Sequence, residues 1–259
     1  MGAQAKKSFS KIHWRCFNMK EKIVSKNLRV PSCAILGKGI WCSKHGFVAA
    51  TMTCNGNEIT YFRTDFLDLD RVAWYFAEKF SKDDYHETVK KEVLESIKQH
   101  GGFFLTRHYL TSGPDGKVMS CKGDPITNVN YGEAKNLVSN LDIPELKSDL
   151  MYGVIYDVLG KWLIETGTLT KEEWINSPTG EAEQYALLTK DHGGWCLQDL
   201  LGDIFKMEWT QEKYADKSVV AREGVPFTDG EGNYPSRMRM SYRPQYKNTK
   251  AVIRAFLYF

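Results

Sequence analysis

The sequence predicts an α+β domain: two main helices on a small twisted antiparallel sheet, joined by long irregular loops. Three observations carry this. Asn55-Gly56 sits between two short β-prone runs, the commonest hairpin signal. Two stretches, residues 83–100 and 148–166, repeat apolar side chains at helical spacing. From Trp174 to about Lys250 the chain is rich in Gly, Pro, Asn and aromatic residues and has no period.

Residues 1–30 are basic and polar and read as a tail or attachment arm ahead of a domain at 31–259. Residues 33–66 alternate short apolar runs with Gly37, Gly39 and Gly46, a β-rich pattern. The hairpin pairs Ala49-Ala50-Thr51-Met52-Thr53 with Ile59-Thr60-Tyr61-Phe62. In the first helix, capped by Asp83 or Asp84, Val89, Val93 and Ile97 recur every four residues with Leu94 beside them, and Gly101-Gly102 stops it. Residues 103–110 follow as a strand, closed by the turn Gly113-Pro114-Asp115-Gly116. A short helix is expected at 132–140. The second long helix places Leu150, Val154, Val158 and Trp162 on one stripe and ends at Gly167; Thr170 and Glu173 then resemble a capping box. Residues 252–259 form an apolar strand of the kind usually tied into a sheet.

Composition narrows the function classes. Hydrophobic residues make up 42% of the 259, enough for a sizeable core, and a net charge of +3 does not by itself mark a nucleic-acid binder. No run approaches the roughly 20 apolar residues of a membrane span. Lys6 and Lys7 have no apolar run after them, so the start does not read as a secretory signal, and Met19 is an alternative start. The six cysteines, Cys16, Cys33, Cys42, Cys54, Cys121 and Cys196, are scattered without a CxxC pair. They read as reduced thiols of a protein made in the bacterial cytoplasm rather than as a zinc site.

Several segments resemble one family. Gly101-Gly102-Phe103-Phe104-Leu105-Thr106-Arg107-His108-Tyr109 resembles its GGFYIGRYE strand. Ser148-Asp149-Leu150-Met151-Tyr152-Gly153, continuing to Lys161-Trp162-Leu163, resembles its SRLPTEAEWEYA region. Leu197-Gln198-Asp199-Leu200-Leu201-Gly202-Asp203-Ile204-Phe205 and then Glu208-Trp209-Thr210 resemble GLYDMxGNVWEWT. Gly232-Asn233-Tyr234-Pro235-Ser236 through Tyr242-Arg243 to Ile253-Arg254 resembles an NYPASYR…GFRV ending. Over residues 80–259 the chain thus resembles the formylglycine-generating-enzyme-like (sulfatase-modifying-factor) family of the C-type-lectin fold, in its phage and retroelement-diversified form. Departures are Arg222-Glu223-Gly224 for Arg-Gly-Gly, Val252-Ile253-Arg254 for Gly-Phe-Arg, and an altered box at Gly202-Asp203-Ile204-Phe205-Lys206-Met207.

The resemblance implies a C-type-lectin-like fold whose last segment faces the ligand. The enzymes of the family hold copper with a cysteine pair there. Residues 236–259 contain no cysteine, so the chain is expected to be non-catalytic, with no catalytic or metal-binding residues. The iron-dependent relatives need three histidines, and His86, His100 and His108 read as structural instead. A Cys196/His192 nucleophile pair lacks an orienting third group. The alternative is an oxidoreductase-like enzyme whose metal site was lost or moved.

The expected ligand-binding residues are Tyr234, Arg237, Arg239, Tyr242, Arg243, Gln245, Tyr246, Lys247, Asn248 and Lys250. Tyr and Arg dominate binding hot spots, and Tyr offers rigid area at low entropic cost. The same residues could pack between loops, with Arg243 and Arg254 as internal props; Trp162 and Trp174 read as core. Basic residues alternating with Tyr are also the ingredients of a single-strand nucleic-acid binder, against which the small net charge weighs. No cofactor is required. Asp199, Asp203, Asp229, Glu231 and Asn233 leave room for structural calcium, though a solvated turn is the favoured reading of 229–233. The expected partners are a host-surface protein or glycan, virion components at the N-terminal arm, and a second copy of the chain without a coiled coil. The expected location is a virion or an exposed surface.

Overall fold

The computed structural model describes residues 29–42, 48–63, 85–155, 207–214, 218–223 and 239–259. Among these, thirteen strands outweigh two complete α-helices, a stretch of helical backbone at 153–155 and a single 3-10 turn. The expectation of an α+β domain with two main helices is therefore corrected: the described chain is sheet-rich.

The first sheet begins with β1 (Ile35–Cys42), β2 (Val48–Cys54) and β3 (Asn57–Arg63). Asn55 and Gly56 both take positive φ, 48° and 77°, and Cys54 pairs with Asn57. This is the tight turn expected of Asn-Gly, whose twist matches that of the strands. β1 lies antiparallel to β2 with Ile35 opposite Thr53. That register brings Cys33 to Cys54, and the two form a disulfide with Cα atoms 5.1 Å apart. The reduced-thiol reading fails for this pair because sheet register, not local spacing, makes them neighbours.

β4 (Tyr85–His86) pairs with a strand of the second sheet. Helix α1 (Lys91–His100) follows, so the helix expected from residue 83 starts eight residues later. Val93 and Ile97 are buried, and Gly101 closes the helix at φ 70° as its position predicted. β5 (Gly102–Thr106) pairs with β3; β6 (Leu110–Ser112) and β7 (Val118–Ser120) form a separate hairpin across the 3-10 turn Pro114–Gly116. Helix α2 (Tyr131–Ser139) carries a full capping box: the Asn130 side chain accepts from the Glu133 backbone, and the Glu133 carboxylate accepts from the Asn130 backbone.

The second expected long helix is overturned at its start. Lys147–Leu150 is a strand, β8, and helical backbone appears only at 153–155; residues 156–166 lie outside the described residues. Leu150, Met151, Tyr152, Val154 and Ile155 are all buried. A run buried on every side has no face, so spacing alone did not mark where the strand ends and the helical backbone begins.

β9 (Met207–Tyr214) is flanked by β10 (Val219–Glu223) and, further out, β11 (Arg239–Tyr242). The expected terminal strand is two strands in two sheets. β12 (Ala251–Val252) runs parallel to β9, while β13 (Ala255–Tyr258) inserts between β5 and β8. Arg254 sits at the crossover, fully buried, and donates to the Thr106 carbonyl at 2.8 Å and to Glu208 at 3.4 Å. It is the internal prop expected of it. One buried cluster joins both sheets and α2, including Ile59, Phe104 and Leu257, then Trp209 and Ala221, then Ala134 and Val138. A second aromatic stack, Phe62–Phe103–Phe256 with Tyr152 edge-on, is also buried. β3, β5 and β13 are thus covered on both faces, which explains apolar runs such as 102–105 and Ala255–Tyr258.

Candidate recognition surface

β11 delivers the chain to a turn, and β12 takes it back. Between them, residues 243–247 are exposed in succession, and the Tyr246 N–H donates to the Arg243 carbonyl at 2.9 Å. Asn248 interrupts the exposure. It is buried, its main chain bonds to Asn128 and Val129, its Oδ1 accepts from the Lys250 N–H at 2.8 Å, and its Nδ2 points at Met207 Sδ. The turn is therefore pinned at its base by one side chain of the right length and hydrogen-bonding type.

Its aromatic residues continue a column from the core. The fully buried Trp209 donates from its indole to the Val129 carbonyl at 3.2 Å. Tyr131 meets Trp209 edge-on at 6.2 Å, and Tyr242 meets it edge-on at 5.6 Å. Tyr246 then lies flat on Tyr242, at 5.4 Å and 7°. Edge-on and offset contacts are the favoured aromatic geometries. The outermost ring, Tyr246, is 53% exposed. At the inner end, burial first, then the charges of Glu87 and Asp149, push the Tyr131 hydroxyl up to about 12.

Charge surrounds the column. Lys247 pairs with Glu133 at 2.6 Å, tying the turn to the capped end of α2, and this contact is the leading cause that holds the Glu133 carboxyl below its ordinary range. Arg243 and Lys250 are exposed and form no ion pair among the described residues. The last 28 residues hold six Lys or Arg and no Asp or Glu, so the remainder of a chain with net charge +3 is acidic on balance.

Of the ten expected contact residues, Tyr242, Arg243, Gln245, Tyr246, Lys247, Asn248 and Lys250 converge on this turn. Asn248 acts as its anchor rather than as displayed surface. Arg239 lies in β11, its side chain outside the described residues, as are Tyr234 and Arg237. Arg243 is displayed, not an internal prop. Cys196, His192, Trp162, Trp174 and the calcium candidates Asp199, Asp203, Asp229, Glu231 and Asn233 also lie outside the described residues.

No family model, curated protein or solved structure matches the chain. Among the described residues there is no group of three or more His, Cys, Asp or Glu placed to hold a metal, and no helix long and apolar enough to cross a membrane. His108 lies 3.1 Å from Glu58, which also takes Arg107 at 2.6 Å; the hydrogen bond from His108 leads the causes that lower the Glu58 carboxyl. His100 packs on the Phe259 ring. A cleft of about 520 Å³, lined by Asn55, Lys117, Met119 and Asp142 among others, lies away from the turn.

Sequence reasoning missed one buried cluster. Arg222 binds Glu212 through two nitrogens, at 2.5 and 2.7 Å, both side chains being sealed from solvent. Thr210 donates to the same carboxylate, and Arg222 also reaches the Gly153 carbonyl. Glu87 accepts the N–H groups of Gly153 and Val154 at 2.8 and 3.0 Å, capping the helical turn that starts there. Burial, then the Glu212 charge, pushes the Glu87 carboxyl up to about 8. Its members come from positions 87, 153, 212 and 222, so no local motif announces it.

Proposed function

We propose that this chain is a recognition protein that meets its ligand with the turn at 243–250. The observation that carries the reading is Tyr246, an exposed ring held flat on a column that runs down to buried Trp209. Holding an aromatic ring in water costs hydration free energy. Fixing it in advance lowers the entropy lost on binding, which is how hot-spot residues act. Loops carried on a rigid scaffold are the usual place for such residues. The resemblance to formylglycine-generating-enzyme-like proteins supports the same reading. It points to a non-catalytic, phage-type or retroelement-diversified member displayed on a virion or cell surface, with a host-surface protein or glycan as ligand.

The test is binding of purified protein to intact bacterial cells and to surface-protein and glycan arrays, wild type against Tyr246→Ala. Because Tyr246 is the outer ring, its loss leaves the core intact, and circular dichroism should be unchanged. Saturable binding that weakens at least about tenfold in the variant is expected. Equal binding by both proteins would remove the turn from the recognition surface.

A further inference from the structure

Resting on that reading, we infer that the turn takes an acidic protein epitope: Tyr246 enters a hollow of the partner while Arg243 and Lys250 meet carboxylates at its rim. The geometry of charge leads here. Of the cations near the turn, Arg254 is buried against Glu208 and Lys247 is held by Glu133. Arg243 and Lys250 alone among those described at 243–254 are exposed and without an ion pair. With no acid in the last 28 residues, nothing in that segment neutralises them. Two uncompensated cations beside a presented ring favour a ligand that brings negative charge and an apolar contact together. Such complementarity acts chiefly on encounter rate and on rejection of wrong partners.

Shape selects protein over the other anionic ligands. Saccharides and small molecules are usually held in concave sites. Here five consecutive exposed residues project outward, and the described cleft is elsewhere. A single strand of nucleic acid calls for a track of phosphate contacts with successive stacking rings. Among the described residues the turn offers two cations without an ion pair and one outward ring.

The experiment pans a display library of random disulfide-cyclised peptides against wild type, Tyr246→Ala, Arg243→Ala/Lys250→Ala and Arg243→Glu/Lys250→Glu. The three substituted side chains, Arg243, Tyr246 and Lys250, are all exposed, and circular dichroism checks that each variant folds. Peptides enriched by wild type and lost with Tyr246→Ala are expected to carry about twofold more Asp and Glu than the input. The alanine pair should slow their association about tenfold at low salt, and the glutamate pair should select Lys- and Arg-rich peptides instead. Peptides that need Tyr246 but show no acidic bias would overturn this inference and leave the recognition surface standing. No peptide that needs Tyr246, together with binding of heparin or oligodeoxythymidylate that the alanine pair abolishes, would overturn the choice of a protein ligand. No binding of any probe that depends on the turn would remove the recognition surface itself.

Discussion

Glu87 should make the stability of this protein fall with rising pH in a range where most proteins are insensitive. Its carboxyl is raised from 4.5 to about 8 by burial and by Glu212. Between those values the folded chain keeps a proton that the unfolded chain has released. The contribution is therefore complete below the unfolded pKa and is lost as pH rises through the folded one. His100, whose pKa is lowered mainly by burial, acts in the opposite sense, with its contribution lost as pH falls below 6.5. Among the described residues, the interval from 6.5 to 8 separates Glu87 from His100. Each pKa unit corresponds to about 1.4 kcal/mol, so this interval removes at most about 2 kcal/mol. For a chain of this length that is a fall of about 4–8 °C in the melting midpoint. Glu87→Gln is neutral throughout and should flatten the slope. Its amide nitrogen faces a backbone N–H, so the variant should melt lower than wild type at pH 6.5 and approach or pass it by pH 8. Scanning fluorimetry of both proteins across this range is the assay. Parallel curves for the two would refute the reasoning, since the proton would then belong elsewhere.

Arg222→Met should destabilise by about 3–5 kcal/mol, because it strands the buried Glu212 carboxylate without its cation; urea denaturation measures it, and a loss below 1 kcal/mol would contradict the buried pairing. Gly153→Ala should fail to fold stably or melt much earlier, since a Cβ there collides with the Glu212 carboxyl; a thermal scan decides. Asn248→Ala should cost about 1–2 kcal/mol and release protection of the Lys250 amide in hydrogen exchange, while leaving the sheet amides protected. Reduction of Cys33–Cys54, which are 21 residues apart, should lower stability by about 3 kcal/mol, with alkylation appearing at both cysteines only after reductant is added.

Local signals in the sequence were reliable where the physics is local. The Asn55-Gly56 hairpin, the stop at Gly101 and the turn at 113–116 all depend on neighbours within a few residues, and the structure places them as expected. The short helix differs from its expected range by one residue at each end. Errors arose where distant partners decide. Ser148-Asp149-Leu150 becomes a strand because β13 offers an edge to pair with, a fact held about a hundred residues away. Strands of four or five residues are too short to display a clear period of two, so β10 and β11 read as irregular loop, while the two residues of β4 were absorbed into the expected first helix. For the site, the composition of 234–250 located the turn. Which residues face outward was not readable, because Asn248 and Tyr246 differ only in what Met207, Val129 and Trp209 place beneath them.

The crossing at Ile253-Arg254 also has a consequence for the order of assembly. β13 joins β8 to β5, and β12 completes the second sheet beside β9, yet both follow every other described strand along the chain. During synthesis β1, β2, β3 and β5 can pair as soon as they emerge. β8 must wait with its backbone groups unmet until β13 arrives to close the gap. Contacts this far apart in sequence make folding slow and leave an open strand edge in the nascent chain. The turn at 243–250 is drawn into place in that same final step, so the surface that meets the ligand takes shape only once both sheets are locked.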